Sequence, residues 1–197
     1  MTKIKICGLT RLCDIEAVNH AKPDYIGFVF APSRRRIAAE TALELKRHLD
    51  SSIKAVGVFV NQPVDEIVAL CRMGAIDMIQ LHGTEDAAFR AEIRKRTACP
   101  IIQAVRVVES LPVLPTDADF LLFDSGAGSG IPFDWNFLPD RGVQSYFLAG
   151  GLHIENVQSA IKQRKPYCID LSSGAEIDGV KSAVKIDALV KLVRTAG

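Results

Sequence analysis

Residues 146–180 read YFLAGGLHIENVQSAIKQRKPYCIDLSSGAEIDGV. Two short apolar runs, Tyr146–Leu148 and Tyr167–Leu171, each lead into a glycine-bearing turn, and an amphipathic stretch, IENVQSAIKQR, joins them. Short, nearly continuous apolar runs are the pattern of strands buried on both faces of a parallel sheet. Glycine lets the backbone come close to a ligand without a Cβ clash. Amides freed at such turns, backed by helix dipoles, favour an anion. An open doubly wound sheet carries its glycine-rich phosphate turn after the first strand. Here that position reads CGLT, with one glycine, and no GxGxxG occurs anywhere. Barrels bind phosphate after strands seven and eight, so these turns point to a barrel if six strands precede them.

Six do. Working back along the chain, the candidate strands are Lys3–Cys7, Tyr25–Phe30, Lys54–Val60, Met78–Leu81, Ile101–Val105 and Phe120–Phe123. The stretches AAETALELKRHL, VDEIVALCRM, EDAAFRAEIRKR and AVKIDALVKLVRTA repeat apolar residues every three or four positions, as helices packed on a sheet do. The connection Glu109–Pro115 (ESLPVLP) carries two prolines, which predicts a fifth helix that is short or missing. The expectation is an α/β protein: one compact (β/α)8 TIM barrel occupying residues 1–197, near the lower size limit of that fold.

Composition narrows the function. Twenty-four Lys+Arg against 23 Asp+Glu leave none of the charge excess of a nucleic-acid or anionic-membrane binder. No apolar stretch approaches the length of a membrane span, and the N-terminal apolar run is too short for a signal peptide. The five cysteines (Cys7, Cys13, Cys71, Cys99, Cys168) are scattered without a CxxC pair, which speaks against structural zinc and for reduced thiols in a cytoplasmic protein.

Barrel chemistry gathers at the C-terminal ends of the strands. Those ends supply Cys7, Ala31–Arg36, Asn61, Gln80, His82, Arg106, Asp124, Ala149–Gly151, Asp170 and Ser172–Glu176. No Asp/His/Glu spacing in this set suits a metal cage, so no metal is expected. Each residue also has a plain structural reading. An arginine run is usually a solvated loop, Asp-Ser-Gly is ordinary turn chemistry, and His82 before Gly83 reads as a loop residue. Cys13, Cys71 and Cys99 read as structural thiols at helical segments. His20, His48 and His153 read as bystanders on helices. The paired glycine turns favour a phosphorylated small-molecule substrate.

Taken together, KICGLT (Lys5–Thr10), GFVFAPSRRR (Gly27–Arg36), VGVFVN (Val56–Asn61), IQLHG (Ile79–Gly83), FDSGAGSGIPFDW (Phe123–Trp135), LAGGL (Leu148–Leu152) and DLSSGAE (Asp170–Glu176) resemble the phosphoribosylanthranilate isomerase family. The motifs stand in the family's order over nearly the whole chain. The resemblance implies a cofactor-free Amadori rearrangement in tryptophan biosynthesis. It makes Cys7 the general base and Asp124 the general acid, and maps the carboxylate anchor best to Arg35, with Arg34 and Arg36 as the alternatives one residue to either side. It places the phosphate on Gly150, Gly151, Ser173 and Gly174. Asp170, read from its own chemistry, either hydrogen-bonds a ribose hydroxyl or orders the last turn. The loop after the sixth strand departs from the family's GGTG-like run, reading Ala127-Gly128-Ser129-Gly130, with Ile131 where some members have lysine. Monomer and homodimer are both open. Two other readings compete: a histidine-pathway isomerase, whose members carry aspartate where Cys7 stands, and a non-catalytic phosphate-binding barrel.

A thiolate base and a neutral carboxylic acid in one site invert the ordinary order of acidity, about 8.5 for a thiol against 3.9 for aspartic acid. The expectation is that positive charge or amide dipoles lower the Cys7 thiol, making it the first cysteine to be alkylated.

Overall fold

The computed structural model describes residues 1–107, 114–115, 117–126, 133–138 and 144–196. Eight parallel strands close into a barrel in sequence order. They are β1 (Lys3–Cys7), β2 (Tyr25–Val29), β3 (Lys54–Phe59), β4 (Met78–Leu81), β5 (Ile101–Arg106), β6 (Phe120–Asp124), β7 (Tyr146–Leu148) and β8 (Cys168–Leu171). Every expected strand end lies within one residue of these. The barrel closes where β1 pairs with β8, with Lys5 opposite Asp170 and Ile6 opposite Leu171.

Six α-helices lie among the described residues: α1 (Leu12–Ala21), α2 (Ala39–Arg47), α3 (Val64–Arg72), α4 (Ala87–Arg96), α5 (Val157–Arg164) and α6 (Ala183–Ala196). Two of the starts are chemically marked. Asp14 is buried and accepts from the backbone N–H groups of Thr10 and Arg11, both at 3.0 Å, ending the turn after β1 and opening α1. Asp86 caps α4 by accepting from the Phe89 amide. The expectation of a short or missing fifth helix falls mostly on residues 108–113 and 116, outside the described residues. Between β6 and β7 the described residues hold only a 3-10 turn, Trp135–Phe137. The last connection differs from a plain turn into a helix. A 3-10 turn, Ser173–Ala175, leads into a small antiparallel hairpin of β9 (Glu176–Ile177) and β10 (Val180–Lys181) before α6. Asp178 and Gly179 turn it with φ of +49° and +80°, the two positive angles of a type I′ turn.

Strand alternation sorts the apolar residues into two cores. Ile4, Ile6, Phe28, Phe59, Ile79, Leu81, Phe123 and Leu171 face outward onto the helices and are nearly or fully inaccessible. Tyr25, Val56, Met78, Ile102, Leu122, Phe147 and Cys168 fill the lumen. At the N-terminal end the Tyr25 and Tyr167 hydroxyls meet at 2.7 Å, and Lys3 Nζ donates to the Tyr167 hydroxyl at 2.9 Å. Phe147 packs its ring against Tyr25, Phe120 and Tyr167 above them. Toward the other end the lumen turns polar, through Lys5, Gln80 and Asp170, and then Cys7, His82 and Asp124. No helix among the described residues is long and apolar enough to cross a membrane.

Candidate active site

Period-2 alternation puts Lys3, Lys5 and Cys7 of KIKIC on the lumen face of β1. The same rule brings Gln80 and His82 inward from β4, Asp124 from β6, and Asp170 and Ser172 from β8. A cavity of about 540 Å³ opens over Cys7, Gln80, His82, Asp124, Asp170 and Ser172, and Arg35, Ser125, Gly150, Gly151 and Ser173 also line it. Of the expected site residues, Gly174 alone lies outside it. That glycine lines an adjoining cavity of about 420 Å³ with Gly151, His153, Ser173 and Lys185.

The backbone turns are glycine-dependent for identifiable reasons. Gly150 and Gly151 adopt φ of +85° and +63°, and a Cβ on Gly150 would lie 2.8 Å from the Ser125 amide nitrogen. A Cβ on Gly174 would lie 2.2 Å from the Leu152 carbonyl oxygen, so this glycine lets the two loops touch. Among the described residues, the N–H groups of Gly150, Gly151, Ser173 and Gly174 have no protein acceptor. Four amides without protein partners at the mouths of two cavities are chemistry that can take up an anion. The loop Ala127–Gly130 and Ile131 lie outside the described residues.

Cys7 is buried, with 8% of its surface exposed. Burial pushes its thiol up. Lys5 beside it pulls down and Asp170 pushes up, with Lys181 pulling down more weakly, and burial prevails. The expectation of a lowered thiol is therefore corrected: the positive charge is present, but it does not outweigh desolvation. A lowered thiol lies elsewhere. A hydrogen bond with Cys71 draws Cys99 down to about 6, against the opposing effect of burial, and raises Cys71.

Lys5 is wholly inaccessible and reaches Asp170 Oδ2 at 2.8 Å and Gln80 Oε1 at 3.0 Å. Burial opposes its charge, but Asp170 and Cys7 reverse the balance and raise its ammonium above the ordinary range. The other oxygen of Asp170, Oδ1, is buried without a partner among the described residues. Asp170 lines the cavity, and an orphaned carboxylate oxygen there is short of a donor. His82 Nδ1 lies 2.9 Å from Gln80 Nε2, and its Nε2 lies 3.2 Å from Asp124 Oδ2. His82 thus belongs to the site rather than to an ordinary loop.

Of the three arginines, only Arg35 lines the cavity. A Cβ on Gly8 would lie 2.4 Å from Arg35 Cδ, so the glycine after Cys7 clears its path. Arg35 donates from Nε and Nη2 to Glu176, at 2.6 and 2.9 Å, which leaves Nη1 for another acceptor. Glu176 also accepts from Arg34 and Lys181. Burial resists its ionisation, but the hydrogen bonds from Arg35 and Lys181 hold its carboxyl at about 2. Glu176 and Lys181 sit on the hairpin that the dipeptide Asp178-Gly179 signals in the sequence. His153 lies in the loop before α5, at the second cavity, and not on a helix. Among the described residues, no group of three or more His, Cys, Asp or Glu is placed to hold a metal ion.

Residues 4–192 match the sequence profile of the N-(5′phosphoribosyl)anthranilate (PRA) isomerase family. The chain is similar to an N-(5′-phosphoribosyl)anthranilate isomerase of Endomicrobium trichonymphae, 47% identical over 99% of this chain and 100% of that one. It is also similar to the crystal structure of phosphoribosyl anthranilate isomerase from Thermus thermophilus, with TM-score 0.87, 34% identity and full coverage of both chains. A third relative is a phosphoribosyl anthranilate isomerase solved with reduced 1-(o-carboxyphenylamino)-1-deoxyribulose 5-phosphate. Its TM-score is 0.81 and its identity 29%, over 99% of this chain and 100% of that one.

Proposed function

The chain belongs to the N-(5′-phosphoribosyl)anthranilate isomerase family and catalyses its aldose-to-ketose rearrangement in tryptophan biosynthesis, and we propose that Cys7 and Asp124 carry the two proton transfers. The observation behind this assignment is the order of groups around one cavity. Going round the barrel stand Asp124 on β6, the amide cradles after β7 and β8, Cys7 on β1, and Arg35 after β2.

In this reading the substrate phosphate rests on the amides of Gly150, Gly151, Ser173 and Gly174, and the anthranilate carboxylate meets Arg35. Lys185 and His153 border the second cavity and can add charge or a hydrogen bond to the phosphate. Asp170 Oδ1 accepts from a ribose hydroxyl. Asp124 gives its proton to the ring oxygen as the C1–O bond breaks and the nitrogen lone pair forms the Schiff base. The Cys7 thiolate, kept within reach by Lys5, then takes the proton from C2. The resulting enolamine tautomerises to 1-(2-carboxyphenylamino)-1-deoxyribulose 5-phosphate. Each positioned group contributes about 10²–10⁴ in rate. Neither step calls for a cofactor or metal.

The competing readings lack this support. The histidine-pathway isomerase would carry aspartate where Cys7 stands, and a binding protein has no need of an acid and a base at one cavity. We take residues 1–197 as one catalytic barrel, cytoplasmic, acting as a monomer or homodimer on a small phosphorylated substrate, without nucleic-acid or membrane partners. The test follows loss of phosphoribosylanthranilate fluorescence with freshly made substrate and micromolar enzyme. Turnover that falls about 100-fold or more in Asp124→Asn and in Cys7→Ala supports the roles; near-normal turnover in either removes that residue from its role.

A further inference from the structure

The proposed base and acid are joined through the floor of the cavity by side chains that neither proton transfer uses, two of them buried and His82 partly exposed. From Lys5, beside Cys7, the path runs to Gln80 Oε1 at 3.0 Å and from Gln80 Nε2 to His82 Nδ1 at 2.9 Å. It ends at His82 Nε2 and Asp124 Oδ2, 3.2 Å apart. Lys5 is inaccessible and Gln80 is 2% exposed, so water does not complete their hydrogen bonding.

The direction of every bond in this path follows from its first member. An ammonium only donates, so the Gln80 oxygen must face Lys5. The amide NH₂ then faces His82, and an NH₂ can only donate, so the ring nitrogen opposite it, Nδ1, must be bare. A neutral imidazole with a bare Nδ1 carries its proton on Nε2 and donates it to Asp124 Oδ2. Reversing the amide would set two donors, the NH₂ and the ammonium, against each other in a dry interior. The salt bridge to Asp170 fixes the lysine that starts the sequence.

We propose that Gln80 is a positioning residue for the acid: anchored by Lys5, it fixes His82 as the Nε2–H tautomer, whose bond to Asp124 Oδ2 leaves Oδ1 as the oxygen that carries the transferred proton. The proposal rests on Asp124 being the acid. Oδ1 lies on the side of the phosphate-binding turn, where a Cβ on Gly150 would come within 2.9 Å of it. Lys5 serves both ends of the site, as the charge beside the base and as the group that orders the path to the acid.

The ring can be observed without catalysis. Long-range ¹⁵N–¹H spectra of the protein labelled in histidine, with His82 assigned by His82→Gln, report which nitrogen holds the proton. The expected result at neutral pH is Nε2–H with a bare Nδ1; a proton on Nδ1 in the unmutated protein overturns the proposal, whether or not any variant folds. Gln80→Glu supplies a carboxylate that accepts from both Lys5 and the ring, so the proton should move to Nδ1. With it kcat should fall about tenfold or more while KM stays within about threefold. Gln80→Met, which neither donates nor accepts strongly, should leave both neutral tautomers visible. A Gln80→Glu protein that keeps the Nε2–H tautomer, or reverses it with unchanged kcat, overturns the positioning role alone. Full turnover in Asp124→Asn overturns the acid assignment and this role together.

Discussion

Arg35, which lines the cavity, engages Glu176 along one edge of its guanidinium, Nε and Nη2 against the two carboxylate oxygens, and so keeps Nη1 free of that carboxylate. A guanidinium held in this way binds a second carboxylate without first being ordered. Arg35→Ala should raise KM by about 10- to 150-fold, the equivalent of about 1.5–3 kcal/mol for a bond to a charged group, with kcat little changed. Glu176→Gln loosens the guanidinium and should raise KM roughly fivefold, or about 1 kcal/mol. A fall in KM would show instead that Glu176 competes with the substrate carboxylate. Steady-state kinetics of the two variants decides.

The same carboxylate makes stability depend on pH. Its folded value, about 2, lies below the ordinary 4.5. A lowered carboxyl stabilises the fold above the unfolded value, and the contribution is lost as pH falls through the folded one. Glu176→Gln should therefore be less stable by on the order of 2 kcal/mol at pH 7, narrowing steadily below about pH 4.5. Urea unfolding of both proteins from pH 7 to pH 3 measures the gap. A gap that stays constant or widens on acidification would contradict the assignment.

Alkylation should begin away from the active site. At pH 7 iodoacetamide should label Cys99 first, since its thiol is lowered to about 6, while the buried and raised Cys7 reacts slowly. Activity should lag behind labelling. A product analogue should slow only the Cys7 reaction, and Cys99→Ser should remove the fast phase with turnover intact. Peptide mapping at partial modification reads out all three; Cys7 labelled first would return the thiol to the state expected from sequence.

Gly27 is tested by filling it. A Cβ there would come within 2.5 Å of Cys7 Sγ and 3.1 Å of its Cα. Gly27→Ala should displace the thiol and lower kcat about tenfold or more, at a cost in stability of about 1–3 kcal/mol from overpacking. Far-ultraviolet circular dichroism and a melting curve establish that the barrel persists. Unchanged kcat would mean that the position of the thiol is not critical.

Much of the barrel is legible in the sequence because parallel strands buried on both faces leave apolar runs that resist other readings. AVGVFV and FLLF need no tertiary knowledge to be recognised. The rim residues Cys7, Asp124 and Asp170 are legible because barrel chemistry sits at strand ends. Lys5 is harder to find. It lies two residues deeper than Cys7, and in a linear reading a lysine in a strand suggests solvent; only the alternation of KIKIC places it inside. Glu176 and Lys181 escape for a different reason. Their hairpin is announced by Asp178-Gly179, but strands of two residues carry no periodicity of their own. The reactivity of the thiols is not legible at all, because it depends on how far each sulfur is removed from water and on Cys71 of α3 meeting Cys99 in the loop before β5.

The floor of the barrel carries one more implication. Tyr25, Tyr167 and Lys3 are bonded together at its base, with Phe147 packed at a tilt over them, so the lumen beneath the cavity is solid. The chamber is therefore a cul-de-sac rather than a tunnel. Whatever is made there must leave by the doorway through which its precursor came, and the next precursor waits for that departure. Traffic through a single mouth sets product in direct competition with substrate.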